Sequence, residues 1–457
     1  MKRFTVRPKI GTGRILRVGG GSESGEHVVI GRLAEAGPLV SVAHDLSQEH
    51  VVAIVGKRGS GKSYTVGSML EGLCTPAGGS PVGISSGRRA AILFDTLGIF
   101  QWMDIPLASE SGQGVVRQQY SVRKGWNLAE TTIDVCIWRP NLGTELGRPT
   151  HHKEFTVRYS DFTAADWGYL LNLDILQDRM GQLLNDTYIK VTVEGWDDGV
   201  LHPSRVDWAI DDLLMCIRRD RELEANYQSE TRRAVLQQLT TYARNPLFSA
   251  AGTDLHELLR PGVLSVIVMN KMSDELRFVL ITTLVRKIMR ARIEASELEK
   301  DLLIRGDLSK TERVHAEEAL GRSIPPCWIA ADEAQNFLPS ERRTSAAEVL
   351  VRLVREGRNY GISFAITTQQ PSAIDSRIMA QVDTLIAHKL TIQSDIEYVR
   401  HNLKGGLPEE VRYANSVLGF EALVRSLDVG QAVVSNTDAE RAFILEVRPR
   451  LSVHGGF

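Results

Sequence analysis

Eight consecutive residues, Gly56-Lys57-Arg58-Gly59-Ser60-Gly61-Lys62-Ser63, form a complete GxxxxGK[ST] phosphate loop. An aliphatic run, Val51 to Val55, precedes them and a helical pattern from Ser63 to Leu73 follows, which is the strand–loop–helix setting such a loop needs. The glycines let successive backbone N–H groups face phosphate oxygens, and the helix amino end adds positive potential. Lys62 is expected to bridge the β- and γ-phosphates and the Ser63 hydroxyl to ligate Mg²⁺, with Tyr64 completing the nucleotide-contacting stretch. The cofactors implied are ATP and Mg²⁺.

A second aliphatic run, Cys327 to Ala331, ends in Asp332-Glu333. Asp332 at a strand tip suits the magnesium shell and Glu333 suits polarising an attacking water, although an Asp-Glu pair after a strand is common by itself. Gln369, in Thr367-Thr368-Gln369-Gln370-Pro371-Ser372 after the strand Ser363 to Ile366, offers an amide to a γ-phosphate or water, or else a polar turn. Arg352, Arg355 and Arg358 recur three apart. They read as a solvated helix face, or as an arginine lent to a neighbouring subunit's nucleotide.

These residues need a sheet to hold them. Strand-like runs at Ala90 to Phe94, Asp134 to Trp138, Val263 to Met269, Thr384 to Ala387 and Gly430 to Val434 predict an α/β core with a mostly parallel sheet. Short β segments (Phe4 to Val6, Arg14 to Val18, His27 to Ile30) broken by glycines predict a small amino-terminal β module. Between about 150 and 250 helices take over, with starts expected at Thr163-x-x-Asp166 and Ser204-x-x-Asp207 and an apolar stripe at Ile210, Leu213, Leu214 and Ile217. A long helix is expected from Ser273, and 294–323 reads as a charged helical excursion. The expected divisions are 1–45 (β-barrel-like module), 46–150 (first part of the core), 151–252 (helical insertion) and 253–457 (second part of the core).

Composition narrows the class. With 457 residues, 43% hydrophobic and 24% charged, the chain is of ordinary globular type and not a disordered or disulfide-scaffold protein. A net charge of -2 confines any nucleic-acid contact to a local patch. Four scattered cysteines (Cys74, Cys136, Cys216, Cys327) lack metal spacing and point to a reducing, cytoplasmic setting. No apolar run reaches membrane-spanning length.

Taken together, GKRGSGKSYT, WIAADEAQNFLP, VREGRNYGISFAITTQQPS and Asp383-Thr384-Leu385-Ile386 resemble the HerA family of the HerA/FtsK P-loop translocase ATPases, over about residues 30 to 450. The resemblance implies an amino-terminal β-barrel, a RecA-like core with a helical insertion, and a hexameric ring moving duplex DNA without sequence specificity, beside a partner nuclease or antiviral-defence effector. It implies Lys62 and Ser63 as Walker A contacts, Asp332 and Glu333 as the Walker B pair, Gln369 as sensor, and Arg358, then Arg355, as the trans finger. Two departures stand out: Asp95-Thr96-Leu97-Gly98-Ile99 replaces an Asp-Pro-His-Gly-Glu-like turn, and the amino-terminal module is short. Pore contacts are sought among Arg342, Arg343 and the Arg286, Lys287, Arg290 cluster. The alternative is an ATP-gated hexameric scaffold that activates an effector with little translocation; an ABC transporter ATPase is disfavoured because no LSGGQ-like signature occurs.

Overall fold

The computed structural model describes residues 14–20, 25–34, 40–74, 82–108, 112, 114–142, 149–306, 308–338, 340, 345–404, 411–413, 416–437 and 442–456. The strand expected at Phe4 to Val6 and the candidates Arg342 and Arg343 lie outside these residues.

Uninterrupted apolar runs form strands that are covered on both faces. In chain order the strands of the main sheet that are four residues or longer are β1 (Ile15–Val18), β2 (His27–Leu33), β3 (Ser41–Asp45), β4 (Val51–Val55), β5 (Ala90–Asp95), β6 (Val135–Pro140), β7 (Leu264–Val268), β8 (Cys327–Ala331), β9 (Ile362–Thr368), β10 (Thr384–Ala387), β11 (Gln431–Asn436) and β12 (Phe443–Val447). Their spatial order is β1-β3-β2-β12-β11-β10-β4-β9-β8-β5-β7-β6. From β10 through β4, β9, β8 and β5 to β7 every neighbour is parallel, and every residue of β4, β5, β7, β8, β9 and β10 is buried. That is the signature of a sheet sandwiched between layers. On the other side of β10 the pairing turns antiparallel through β11, β12 and β2, so the amino-terminal strands extend the core sheet directly.

The chain divides into two units. The first comprises Met1–Ile137, Leu255–Asn270 and Val285–Phe457; the second comprises Trp138–Asp254 and Lys271–Leu284. In the first, helix α1 (Lys62–Leu73) sets Val66, Met69, Leu70 and Leu73 into one core with Val28, Val52, Ile54 and Ala365. The second is helical and is built around Trp167, whose ring lies 5.5 Å from Phe162 and 5.6 Å from Phe248. Thr163 and Asp166 form the expected capping box, the Thr163 hydroxyl accepting from the Asp166 N–H.

The start expected at Ser204-x-x-Asp207 is displaced. The helix runs Ile210–Arg219, and the Ala209 N–H donates to Asp212 instead. The apolar stripe decides the start: Ile210, Leu213, Leu214 and Ile217 are all buried, and a helix begun earlier would carry exposed Val206 in its first turn.

Candidate functional site

Lys62, Ser63, Asp332, Glu333 and Gln369 stand at or just beyond the carboxyl ends of adjacent parallel strands, the edge where open α/β sheets bind ligands. Register brings those ends level: Val55 of β4 is opposite Thr368 of β9 and Ala387 of β10, and Ala331 of β8 is opposite Ile366 and Phe94.

The loop after β4 turns at Gly61, whose φ of +114° strains any side-chain-bearing residue, and α1 starts on the following residue. Gly56 is required for a second reason: a Cβ there would come within 2.7 Å of the His388 Cβ. Lys57, Arg58 and Gly59 are exposed, Ser60 is buried, and Lys62 is buried with its Nζ donating to the Lys57 carbonyl at 3.1 Å. Burial lowers the Lys62 pKa from its ordinary value, and the charges of Glu333 and Asp332 resist the shift. Tyr64 points elsewhere, its hydroxyl accepting from the Arg450 N–H at 2.9 Å.

Opposite Ser63 stands Asp332. Its Oδ1 lies 3.5 Å from the Ser63 Oγ and accepts from the Thr367 hydroxyl, while its buried Oδ2 has no hydrogen-bond partner among the described residues. Burial pushes the Asp332 pKa up to about 6; the Thr367 hydrogen bond works against that and the neighbouring Glu333 charge adds to it. A carboxylate oxygen left orphaned beside a serine hydroxyl is a hard-oxygen donor set that fits Mg²⁺.

Glu333 sits in left-handed backbone (φ 54°, ψ 52°), a conformation costing on the order of 1 kcal/mol for a residue with a Cβ. Its carboxylate accepts from Gln369 Nε2 at 2.6 Å and from Gln335 Nε2 at 2.5 Å. Thus Lys62, Ser63, Asp332, Glu333 and Gln369 come together. Asp95, the residue that opens the unusual turn after β5, accepts from the Gly98, Ile99 and Phe100 N–H groups, and burial with the Asp332 charge beside it raises its pKa to about 7.

The arginines are elsewhere. Arg355 lies in the helix Ser345–Glu356, 62% exposed by side chain and 3.6 Å from Glu356. Arg358 is ion-paired to Asp383, whose carboxylate also accepts from the Val51 N–H at 2.8 Å. Val51 and Asp383 stand at the amino ends of β4 and β10, the edge opposite the phosphate loop. Neither arginine reaches its own chain's loop. Arg290, a pore candidate, pairs with Glu294 at 3.3 Å on an exposed surface.

A profile of the family described as "Helicase HerA, central domain" matches residues 28–288, more than half of the chain. The chain belongs to the HerA family. HerA relatives include the DNA double-strand break repair helicase HerA of Pyrococcus furiosus, 24% identical over 37% of this chain and 32% of that protein. The protein of the same description from Sulfurisphaera tokodaii is 25% identical over 40% of this chain and 30% of its own. The chain therefore matches only about a third of the length of these curated relatives. Among solved structures, VirB4 of Thermoanaerobacter pseudethanolicus superposes with a TM-score of 0.52 at 13% identity, covering 94% of this chain and 98% of that one. The HerA-type chain is thus α/β with a RecA-like P-loop core, a mostly parallel sheet, a small amino-terminal β module and a helical insertion. Among its described residues no helix is long and apolar enough to cross a membrane.

Three site residues escape sequence reading. Gln335 stands inside the quoted WIAADEAQNFLP yet carries no spacing signal of its own. The Thr367 hydroxyl reaches Asp332 only through the β8–β9 pairing. His388 is brought under the loop by β10, and no local motif marks it.

Proposed function

We propose that this chain is the ATP-hydrolysing subunit of a HerA-type ring in which ATP hydrolysis at subunit interfaces drives movement along duplex DNA.

 Each chain hydrolyses ATP as one subunit of a ring-shaped DNA translocase or helicase. What carries the reading is the convergence of Lys62, Ser63, Asp332, Glu333 and Gln369 on one edge, with the Asp332 Oδ2 buried beside Ser63 and without a hydrogen-bond partner among the described residues. Gly56 to Ser63 cradle the phosphates through backbone N–H groups, and Lys62 spans the β- and γ-phosphates. Ser63 and Asp332 would hold Mg²⁺, which when bound neutralises phosphate charge. Glu333 takes the proton of a water whose oxygen bonds to the γ-phosphorus; the bond from that phosphorus to the β–γ bridging oxygen breaks, releasing ADP and inorganic phosphate. Gln369 reports the γ-phosphate, and an arginine from the next subunit, Arg358 or Arg355, neutralises transition-state charge.

The test is ATP turnover by the full chain. Lys62→Ala should lose tight ATP binding or turnover, Glu333→Gln should bind ATP without splitting it, and duplex DNA should stimulate the wild-type rate, less so at high salt. Undiminished turnover in Glu333→Gln would remove that residue from the base role. One observation favours a second reading, the ATP-gated scaffold for a nuclease or defence effector: no residue of the helix Lys310–Gly321 is buried, which leaves a long charged face for a protein partner. A rate indifferent to DNA and dependent on an added effector would select it.

A further inference from the structure

Both oxygens of the Glu333 carboxylate are engaged by glutamine amides, but the two glutamines are held differently. Gln369 Nε2 donates to Oε1 at 2.6 Å, and Gln369 follows the last residue of β9, half-buried. Gln335 Nε2 donates to Oε2 at 2.5 Å, while its own Oε1 accepts from the Thr368 hydroxyl at 2.8 Å. Thr368 is fully buried and its hydroxyl in turn accepts from the Gln370 N–H at 3.1 Å. Gln335 is therefore fixed at both ends. It also sits on the short helical turn Ala334–Asn336, pinned by the Leu338 N–H donating to the Ala334 carbonyl and by buried Phe337 and Leu338.

The four groups close a circuit: Thr368 to Gln335, Gln335 to Glu333, Glu333 to Gln369, and Gln369 back to Thr368 through the backbone. If Gln369 turns to a γ-phosphate it vacates one carboxylate oxygen for the water, and among the described residues Gln335 alone then holds the carboxylate of Glu333 by a hydrogen bond. An unheld glutamate would spend much of its time in other rotamers, and small misplacements of a reacting group cost large factors in rate.

We propose that Gln335 is a positioning residue that keeps the Glu333 carboxylate oriented through hydrolysis, with Gln369 as the exchangeable partner; this rests on Glu333 being the base. Gln335→Met keeps length and volume but removes both hydrogen bonds, and Thr368→Val removes the anchor beneath. In the full chain, Gln335→Met is expected to lower kcat for ATP about tenfold to a hundredfold. KM and melting temperature should stay unchanged, and Thr368→Val should show a smaller loss of the same kind. In single-turnover measurements on a Glu333→Gln background, Gln335→Met should add nothing, since it acts through the missing carboxylate. Wild-type or raised kcat in Gln335→Met, or an equal further loss on the Glu333→Gln background, overturns the proposal. Turnover surviving in Glu333→Gln alone would instead bring down the parent reading, whatever Gln335→Met does.

Discussion

His388 must be neutral for the phosphate loop to keep its shape. Its Nδ1 lies 2.8 Å from the Gln431 carbonyl, which only accepts, so that nitrogen carries the proton; Nε2, 2.8 Å from the Thr65 hydroxyl, then accepts from it. Burial lowers the His388 pKa to about 4 against the opposing Gln431 hydrogen bond, and the Lys62 charge lowers it further. The sign follows from linkage. Between the ordinary histidine value of 6.5 and about 4 the unfolded chain binds a proton that the folded chain does not, so this site's contribution to stability is present above 6.5 and is lost as pH falls. A His388→Asn chain lacks that titration. Its deficit in stability relative to wild type is expected to narrow by about 1.4 kcal/mol per pH unit below 6.5, read as converging melting temperatures between pH 7.5 and 5.5. A gap that stays constant would mean that the folded ring titrates normally. The contrast with Lys62 shows what a sequence discloses: the loop's residues are contiguous and their spacing is itself the signal, whereas His388 and Gln335 acquire partners only through strand pairing and a turn.

At the level of elements, α1 is clamped from behind by the segment that follows β12. Glu71, fully buried on α1, accepts from Arg448 Nη1 at 3.2 Å, from Arg450 Nε at 3.1 Å, and from the Leu451 and Ser452 N–H groups at 2.9 and 3.0 Å. Burial opposes its charge, but the Arg450 and Arg448 guanidiniums hold its pKa below the ordinary value. Removing one member of a buried charged cluster strands the others. Glu71→Ala is expected to cost on the order of 3 kcal/mol or more, seen as a large fall in melting temperature, while Glu71→Gln, which keeps the shape, should fall less. Equal, small effects would mean that water already serves the arginines. Sequence periodicity had no means of finding this clamp, because Arg448 to Ser452 has neither apolar alternation nor a helical stripe. The core strands were legible for the opposite reason: β4, β8 and β10 coincide with continuous apolar runs whose burial on both faces leaves no alternation to blur. β3, Ser-Val-Ala-His-Asp, is buried from Val42 to Asp45 but is mostly polar, its His44 and Asp45 satisfied within the fold, so its composition conceals it.

For the whole molecule the deciding question is whether one chain can complete the site. The arginines at 355 and 358 stand by the amino edge of the sheet, and strands of five to seven residues at about 3.3 Å each separate that edge from the phosphate loop. For either of these two to reach a γ-phosphate, it must therefore be the γ-phosphate of another copy. Arg358 would first have to leave Asp383, whereas the exposed Arg355 lies 3.6 Å from the half-buried Glu356. Arg358→Ala is expected to cost about 1 to 3 kcal/mol, seen as a lower melting temperature, because it takes one of two partners from the nearly buried Asp383 carboxylate, and Arg355→Ala to leave the melting temperature unchanged. The finger itself is found by mixing. A chain lacking it still carries Glu333, and a Glu333→Gln chain still carries the arginine, so a mixed ring contains interfaces at which one donates what the other lacks. Turnover in the mixture should exceed the mean of the two separate rates for the true finger and equal it for the other arginine. If neither mixture gains, while Glu333→Gln alone is inactive and the particle mass confirms assembly, each chain splits ATP without help from its neighbour, and the ring reading of this HerA-type chain fails at its interface.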